Sequence, residues 1–142
     1  MLDRWTLTLI KPPLNRLARR FDHRGIRANQ VTLAGFALGL LVVPLLAFQL
    51  YALALIAVVL NRLADGLDGE LARLQGATDG GALLDIVLDF IFYAAVVAGF
   101  ALANPADNAL AAALLLWGFM GTASSFLAYA ILAERRKLSS MT

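Results

Sequence analysis

Long uncharged apolar runs alternate with short polar connections along this chain, and the lengths of the runs set its architecture. One run extends from Val31 to Phe48, just after Asn29, which reads as a helix N-cap. A second begins at Tyr51, continues through Val58, Val59 and Leu60, and then turns polar at Asn61, Arg62, Asp65, Asp68, Glu70 and Arg73. The stretch from Gln75 to Gly81, rich in Gly and small polar residues, reads as a turn. A third run, Ala82 to Leu102, is apolar except for Asp85 and Asp89; a short loop at Asn104 to Asn108 leads to a fourth, Ala109 to Leu132. About 20 helical residues, rising roughly 1.5 Å each, cross the hydrocarbon core of a bilayer. The pattern therefore predicts spanning helices over 31–48, 51–74, 82–103 and 109–133, with no strand and no internal repeat.

The opening segment has a different period. After Pro12 and Pro13, which suit the first turn of a helix, Leu14, Leu17, Ala18 and Phe21 recur at helical spacing, with Asn15, Arg16, Arg19 and Arg20 on the other face. With Trp5 nearby, this reads as an amphipathic helix over 12–27 lying among lipid headgroups, against the plainer reading of a cytoplasmic helix. The expected fold class is all-α: a polytopic transmembrane helical bundle, one membrane domain over 1–142, with an N-terminal interfacial helix and four spanning helices. Gly35 and Gly39 form a small-xxx-small pair that permits close helix packing, within one subunit or between two.

Composition agrees and excludes an ordinary soluble domain: 61% of residues are hydrophobic, 15% are charged, and the mean hydropathy is +0.75. The absence of cysteine excludes disulfides and thiolate metal sites. No cleavable signal is read, since the first apolar run is long enough to remain as an anchor. All 12 Lys and Arg residues fall before the first span, in the polar part of the second, or after the fourth. The connections around Gln49 and Asp107 have none. The positive-inside rule then expects both termini, the Gln75–Gly81 turn and the acidic cluster on the cytoplasmic side of an inner or cytoplasmic membrane. Membrane lipids are expected partners, and nucleic acid is not.

The carboxylates carry the chemistry. An ionised Asp at mid-membrane costs about 2.5–3.5 kcal/mol on insertion scales, so four of them need compensation. Asp65 and Asp68, at i and i+3, and Asp85 and Asp89, at i and i+4, each share a helix face, about 60° and 40° apart. Two antiparallel helices joined by a short turn can point both pairs at one cavity, where a divalent cation would offset their repulsion. Asp65, Gly69 and Ala72 follow one stripe, with room for a flat ligand, and the Arg73 guanidinium stands where it could fork onto phosphate. Asn61, one turn before Asp65, is expected to orient that carboxylate. Glu70 and Asp79 read as solvated surface acids, and His23 as a basic-surface residue without a catalytic role.

The run Asp65-Gly66-Leu67-Asp68-Gly69-Glu70-Leu71-Ala72-Arg73, followed by Gly81, Asp85 and Asp89, resembles the signature of the CDP-alcohol phosphatidyltransferase family (class I). Every fixed residue type of that signature is present. One residue fewer than usual separates Arg73 from Gly81, in the predicted turn. The Asn29-Gln30-Val31-Thr32 start of the first span is similar to the family as well.

The resemblance implies a metal-dependent phosphotransferase of phospholipid biosynthesis. It would move a substituted phosphate from a CDP-linked donor, CDP-diacylglycerol first among candidates, to an alcohol acceptor and release CMP. It implies Asp65, Asp68, Asp85 and Asp89 as ligands of Mg²⁺ or Mn²⁺, with Asp89 also the general base. It further implies Gly69, Ala72, Arg73 and Thr78 as the holders of the nucleotide, and a homodimer. Members usually have six spanning helices, so four imply a truncated form or a reduced core. Members that use phosphorylated acceptors often carry a cation where Asp79 stands, which argues against an anionic acceptor here. The alternatives are a truncated or silent member that binds nucleotide or a partner, and a cation transporter. The latter would spread its acids through the depth of the membrane.

Overall fold

A computed structural model describes residues 2–135, with side chains from 11 to 133. The described chain forms α1 (Leu2–His23), α2 (Ala28–Gly39), α3 (Val42–Ala47), α4 (Tyr51–Gln75), α5 (Asp79–Ala103) and α6 (Pro105–Arg135), with no strand among the described residues. Arg136 and Lys137 of the terminal basic run, and the side chain of Trp5, lie outside the described residues.

The architecture is an all-α polytopic bundle. Ala28–Ala47, Asp79–Ala103 and Pro105–Ala133 are long and apolar enough to cross a membrane. Helix α4 matches α5 in length at 25 residues, but its second half carries Arg62, Asp65, Asp68, Glu70 and Arg73. Leu53, Leu55, Ile56 and Val59 on α4, and Leu110, Leu114, Trp117 and Met120 on α6, are exposed. Such a surface suits lipid, which is as apolar as the side chains facing it.

The apolar run of 31–48 is not one continuous helix. Pro44 has no N–H for the Leu40 carbonyl, and its ring crowds that group. The Leu40 carbonyl accepts from Val43 N at 3.1 Å instead, and Leu41 N turns to Leu38 O at 3.2 Å, so the chain breaks between α2 and α3. The start of α2 also differs from expectation. Arg27, with extended backbone, is the N-cap, and its N–H donates to Gln30 Oε1 at 3.0 Å, which leaves Asn29 inside the first turn.

Helix α1 begins at Leu2 and passes through Pro12 and Pro13, which lie inside it rather than in its first turn. It ends at His23, earlier than residue 27, because Gly25 adopts a φ of 71°. That left-handed residue closes a Schellman turn, with Ile26 N bonded to Phe21 O at 3.1 Å and Gly25 N to Asp22 O at 2.9 Å. The apolar stripe of α1 faces protein more than lipid: Leu14, Ala18 and Phe21 pack with Leu67 and Leu71 of α4 and Val31 of α2. A second cluster joins Val42 and Leu46 of α3 to Ala54 of α4 and Phe92 of α5.

Helices α2 and α3 pack against both α4 and α5, and this sets the spacing across which the carboxylates meet. Gly35 and Gly39 are the contact points. A Cβ on Gly35 would collide with the Ala64 Cβ, and one on Gly39 would lie 2.8 Å from Asn61 Nδ2 and 2.9 Å from the Phe92 ring. The small-xxx-small pair therefore serves packing inside the chain and lends no support to a dimer. Gln75, the last residue of α4, accepts from Ala28 N at 3.1 Å and donates to Ile26 O at 2.7 Å and Asp22 Oδ1 at 3.0 Å. The α1–α2 and α4–α5 corners are thus tied at one end of the bundle. At the other end Gln49 Nε2 donates to Ala103 O at 3.1 Å, joining the two cation-free connections.

Candidate active site

At the Gln75 end a cavity of about 620 Å³ opens between α2, α4 and α5, lined among others by Asp68, Gly69, Ala72, Thr78, Gly81 and Asp85. The local sequence explains its shape. Gly76, at a φ of 90°, lets the chain leave α4. Thr78 then caps α5, its Oγ1 accepting from Gly81 N at 3.1 Å. Gly81 has no room for a side chain, since a Cβ would sit 3.0 Å from both Thr78 Oγ1 and Asn29 Oδ1. Gly69 is the opposite case, with nothing within 4 Å of where its Cβ would be. That empty volume is part of the cavity wall.

Asp68 and Asp85 line this cavity, and Asp65 comes close to both of them from α4. Carboxylate oxygens of Asp65, Asp68 and Asp85 all lie within 4.8 Å of one another. Asp68 is 5% exposed, and its Oδ2 is buried with no hydrogen-bond partner. Buried polar atoms are almost always bonded, so an orphaned carboxylate oxygen facing two further carboxylates fits a hard divalent cation. A small void of about 10 Å³ is lined by these three residues and by Asp89. The acids gather at one end of the bundle and do not string along its depth, which is not how an ion pathway is built.

Asp89 stands apart from the three. Its Oδ1 accepts from Arg62 Nη2 at 2.6 Å. From the sequence Arg62 reads only as a topology signal, yet among the described residues it is a cation in contact with the acids. Its Nη1 lies 3.7 Å from Asp65 Oδ2 and donates to the Tyr93 hydroxyl at 2.7 Å. Two signals point to it in retrospect: Arg62 is one turn before Asp65, and Tyr93 one turn after Asp89.

Three expectations need correction. Asn61 does not bond Asp65; its Nδ2 donates to the Gly35 carbonyl at 3.1 Å, and its Oδ1 accepts from Arg62 Nε at 3.1 Å and Nη2 at 2.7 Å. Arg73 does not line the 620 Å³ cavity. It pairs with Glu70 and opens on the other side of α4, in a groove shared with Lys11, Asn15, Arg16 and Arg19 of α1. Glu70 is not a solvated acid: it is 9% exposed and also accepts from Asn15 Nδ2 at 3.3 Å, tying α1 to α4. Asp79, in the first turn of α5, and His23, in the last turn of α1, are exposed as expected.

A family model described as CDP-alcohol phosphatidyltransferase matches residues 26–140. The inner membrane protein YnjF of Escherichia coli (strain K12) is 52% identical over 138 residues, covering 97% of this chain and 67% of that protein. The archaetidylinositol phosphate synthase of Pyrococcus horikoshii is 35% identical over 94 residues, covering 66% of this chain and 50% of that protein. No solved structure gives a significant match.

Proposed function

The chain belongs to the CDP-alcohol phosphatidyltransferase family, and from that premise we propose that it transfers a substituted phosphate from CDP-diacylglycerol to an uncharged alcohol, releasing CMP. The observation that carries this reading is the trio of Asp65, Asp68 and Asp85, the last two lining the 620 Å³ cavity, with a buried and unbonded oxygen on Asp68. The match to an archaetidylinositol phosphate synthase supports a lipid product. The distribution of the twelve cations supports a cytoplasmic Gln75 end by the positive-inside rule, where a soluble acceptor would arrive while the donor's tails stay in the bilayer.

Asp65, Asp68 and Asp85 would hold Mg²⁺ or Mn²⁺. When bound, such an ion supplies positive charge to the phosphoryl oxygens and the departing phosphate. The chain supplies the rest. The open wall at Gly69 and Ala72 admits the flat nucleotide, with Thr78 at its rim. Asp89, on the same void as the other three acids, takes the proton of the acceptor hydroxyl. The hydroxyl oxygen forms the new bond to phosphorus, and the bond from phosphorus to the CMP oxygen breaks. The nucleotide role of Arg73 is not retained, given its pairing with Glu70 outside this cavity.

Incubation of the purified protein with radiolabelled CDP-diacylglycerol, a panel of alcohols and Mg²⁺ tests the reading. CMP release that depends on one alcohol supports it and names the acceptor. Absence of CMP release with every alcohol, from protein shown to be folded, overturns it.

A further inference from the structure

We propose that the basic groove between α1 and α4 binds the headgroup of an anionic phospholipid, at a place separate from the cavity described above. The groove is lined by Lys11, Asn15, Arg16 and Arg19 of α1 and by Glu70 and Arg73 of α4, and it shares no lining residue with the 620 Å³ cavity. A headgroup held there is not the group that reacts, and the inference does not depend on the transfer reaction.

Lys11, Asn15 and Arg19 recur at i, i+4 and i+8, so one face of α1 presents them together. Glu70 is the acid of the groove, and both of its oxygens are engaged. Oε1 accepts from Arg73 Nη1, and Oε2 accepts from Asn15 Nδ2 at 3.3 Å. Asn15 Oδ1 in turn accepts from Arg19 Nε at 3.0 Å. A chain of bonds from Arg73 through Glu70 and Asn15 to Arg19 thus mounts two guanidinium groups, one on each helix, on a buried carboxylate. A guanidinium carries five N–H donors, and each of these two commits one of them to the chain. The Arg73 side chain remains 67% exposed. With Lys11 and Arg16, four cations face one already bonded carboxylate. Planar guanidinium forks held in this way match the oxygens of a phosphate.

The surface beside the cations makes that phosphate a lipid's. Lys11, Glu70 and Arg73 also border a second groove, of about 540 Å³, which continues along α4 past Val58, Val59 and Leu63. Val59, Leu63, Glu70 and Arg73 stand at i, i+4, i+11 and i+14, one stripe of α4 about 21 Å long at 1.5 Å per residue. Val59 and Leu63 are 47% and 45% exposed. Cations at the Gln75 end of the stripe and bare apolar surface below them match a charged headgroup with its acyl chain beneath. A soluble phosphate would use the cations and leave the apolar surface bare. A zwitterionic lipid would cover the apolar surface and leave the excess positive charge unmatched.

Native mass spectrometry of the full chain in detergent, titrated with dioleoyl phosphatidylglycerol or dioleoyl phosphatidylcholine, tests this. The anionic lipid should be retained at least about tenfold more tightly than the zwitterionic one, and inorganic phosphate at equal concentration should not displace it. Arg16→Gln and Arg19→Gln should each weaken retention of phosphatidylglycerol about fivefold, the effect of one basic residue near an anionic headgroup. Arg20→Gln removes a neighbouring exposed cation that does not line the groove, and Asp68→Asn alters the other cavity. Both should leave retention within about twofold, since neither changes the groove. Equal retention of the two lipids, displacement by inorganic phosphate, unchanged retention in both groove variants, or a loss in Arg20→Gln or Asp68→Asn as large as in Arg16→Gln would each overturn the proposal. The lipid comparison and the phosphate competition use the unaltered chain, so they decide it whether or not a variant folds.

Discussion

Asn61 of α4 donates through Nδ2 to the carbonyl of Gly35 in α2 at 3.1 Å, and the same amide oxygen receives two donors from Arg62. One buried side chain thus joins the packing of two helices to the orientation of a cation beside the acids. Replacing it by Leu keeps the volume but strands the Arg62 donors and removes the interhelical bond. The expected loss is about 1–3 kcal/mol, the range for leaving buried polar groups unpaired. Thermal unfolding in detergent checks it: Asn61→Leu should melt several degrees below wild type, and Asn61→Asp, which keeps the acceptor, should fall between.

Two glycines with opposite surroundings, Gly35 and Gly69, make a second test. Gly35→Val places atoms where Ala64 already stands, so the helices must separate, at roughly 1–3 kcal/mol as for other overpacked cores. Gly69→Ala meets nothing within 4 Å, and in a helix interior Ala is favoured over Gly by about 0.8–1 kcal/mol. Gly69→Ala should therefore keep or raise the melting temperature while narrowing the nucleotide wall. Titration with CMP or a non-hydrolysable CDP analogue should show its affinity reduced about tenfold, or 1.4 kcal/mol. Unchanged affinity would mean that the nucleotide does not lie against Gly69.

The acids should separate by role. Asp89→Asn removes the proton acceptor but none of the cavity wall, so transfer should fall at least about 100-fold, the lower range for loss of a general base. Nucleotide binding should stay within about twofold. Asp68→Asn removes a buried member of the trio, so cation and nucleotide binding should weaken together. Single-turnover CMP release alongside equilibrium nucleotide binding distinguishes the two variants, and equal, mild effects from both would show the roles to be misassigned.

How much of this was legible in the sequence depended on the range of the interaction. The helices follow from runs and periods that are local, and the i, i+3 and i, i+4 spacing of Asp65, Asp68, Asp85 and Asp89 put each pair on one face before any tertiary contact was known. What the sequence hid was set by partners far along the chain. Glu70 reads as a surface acid until Asn15, 55 residues away, is placed against it. Arg62 reads as a topology signal until Asp89, 27 residues on, closes over it. Asn61 faces α2, not Asp65, because Gly35 lets the two helices come close. The break before Pro44 is different in kind: the proline is local and readable, and its effect on the Leu40 carbonyl follows from its missing N–H.

Asp65, Asp68 and Asp85 crowd three like charges within 4.8 Å of one another, and Arg62 offsets only part of that charge, mainly on Asp89. Like charges drawn partly out of water repel more strongly than in bulk, so the cation-free bundle should be strained at this point. A ligand that binds only the folded state stabilises it by about 2.7 kcal/mol at 100 times its dissociation constant. Mg²⁺ or Mn²⁺ should therefore raise the melting temperature in a saturable way, and EDTA should reverse the rise. General screening would be reproduced by NaCl at equal ionic strength and would persist in Asp68→Asn; a bound ion would do neither. A melting temperature indifferent to divalent cations would mean that the orphaned Asp68 oxygen is satisfied in some other way, and with that the cation at this site would lose its support.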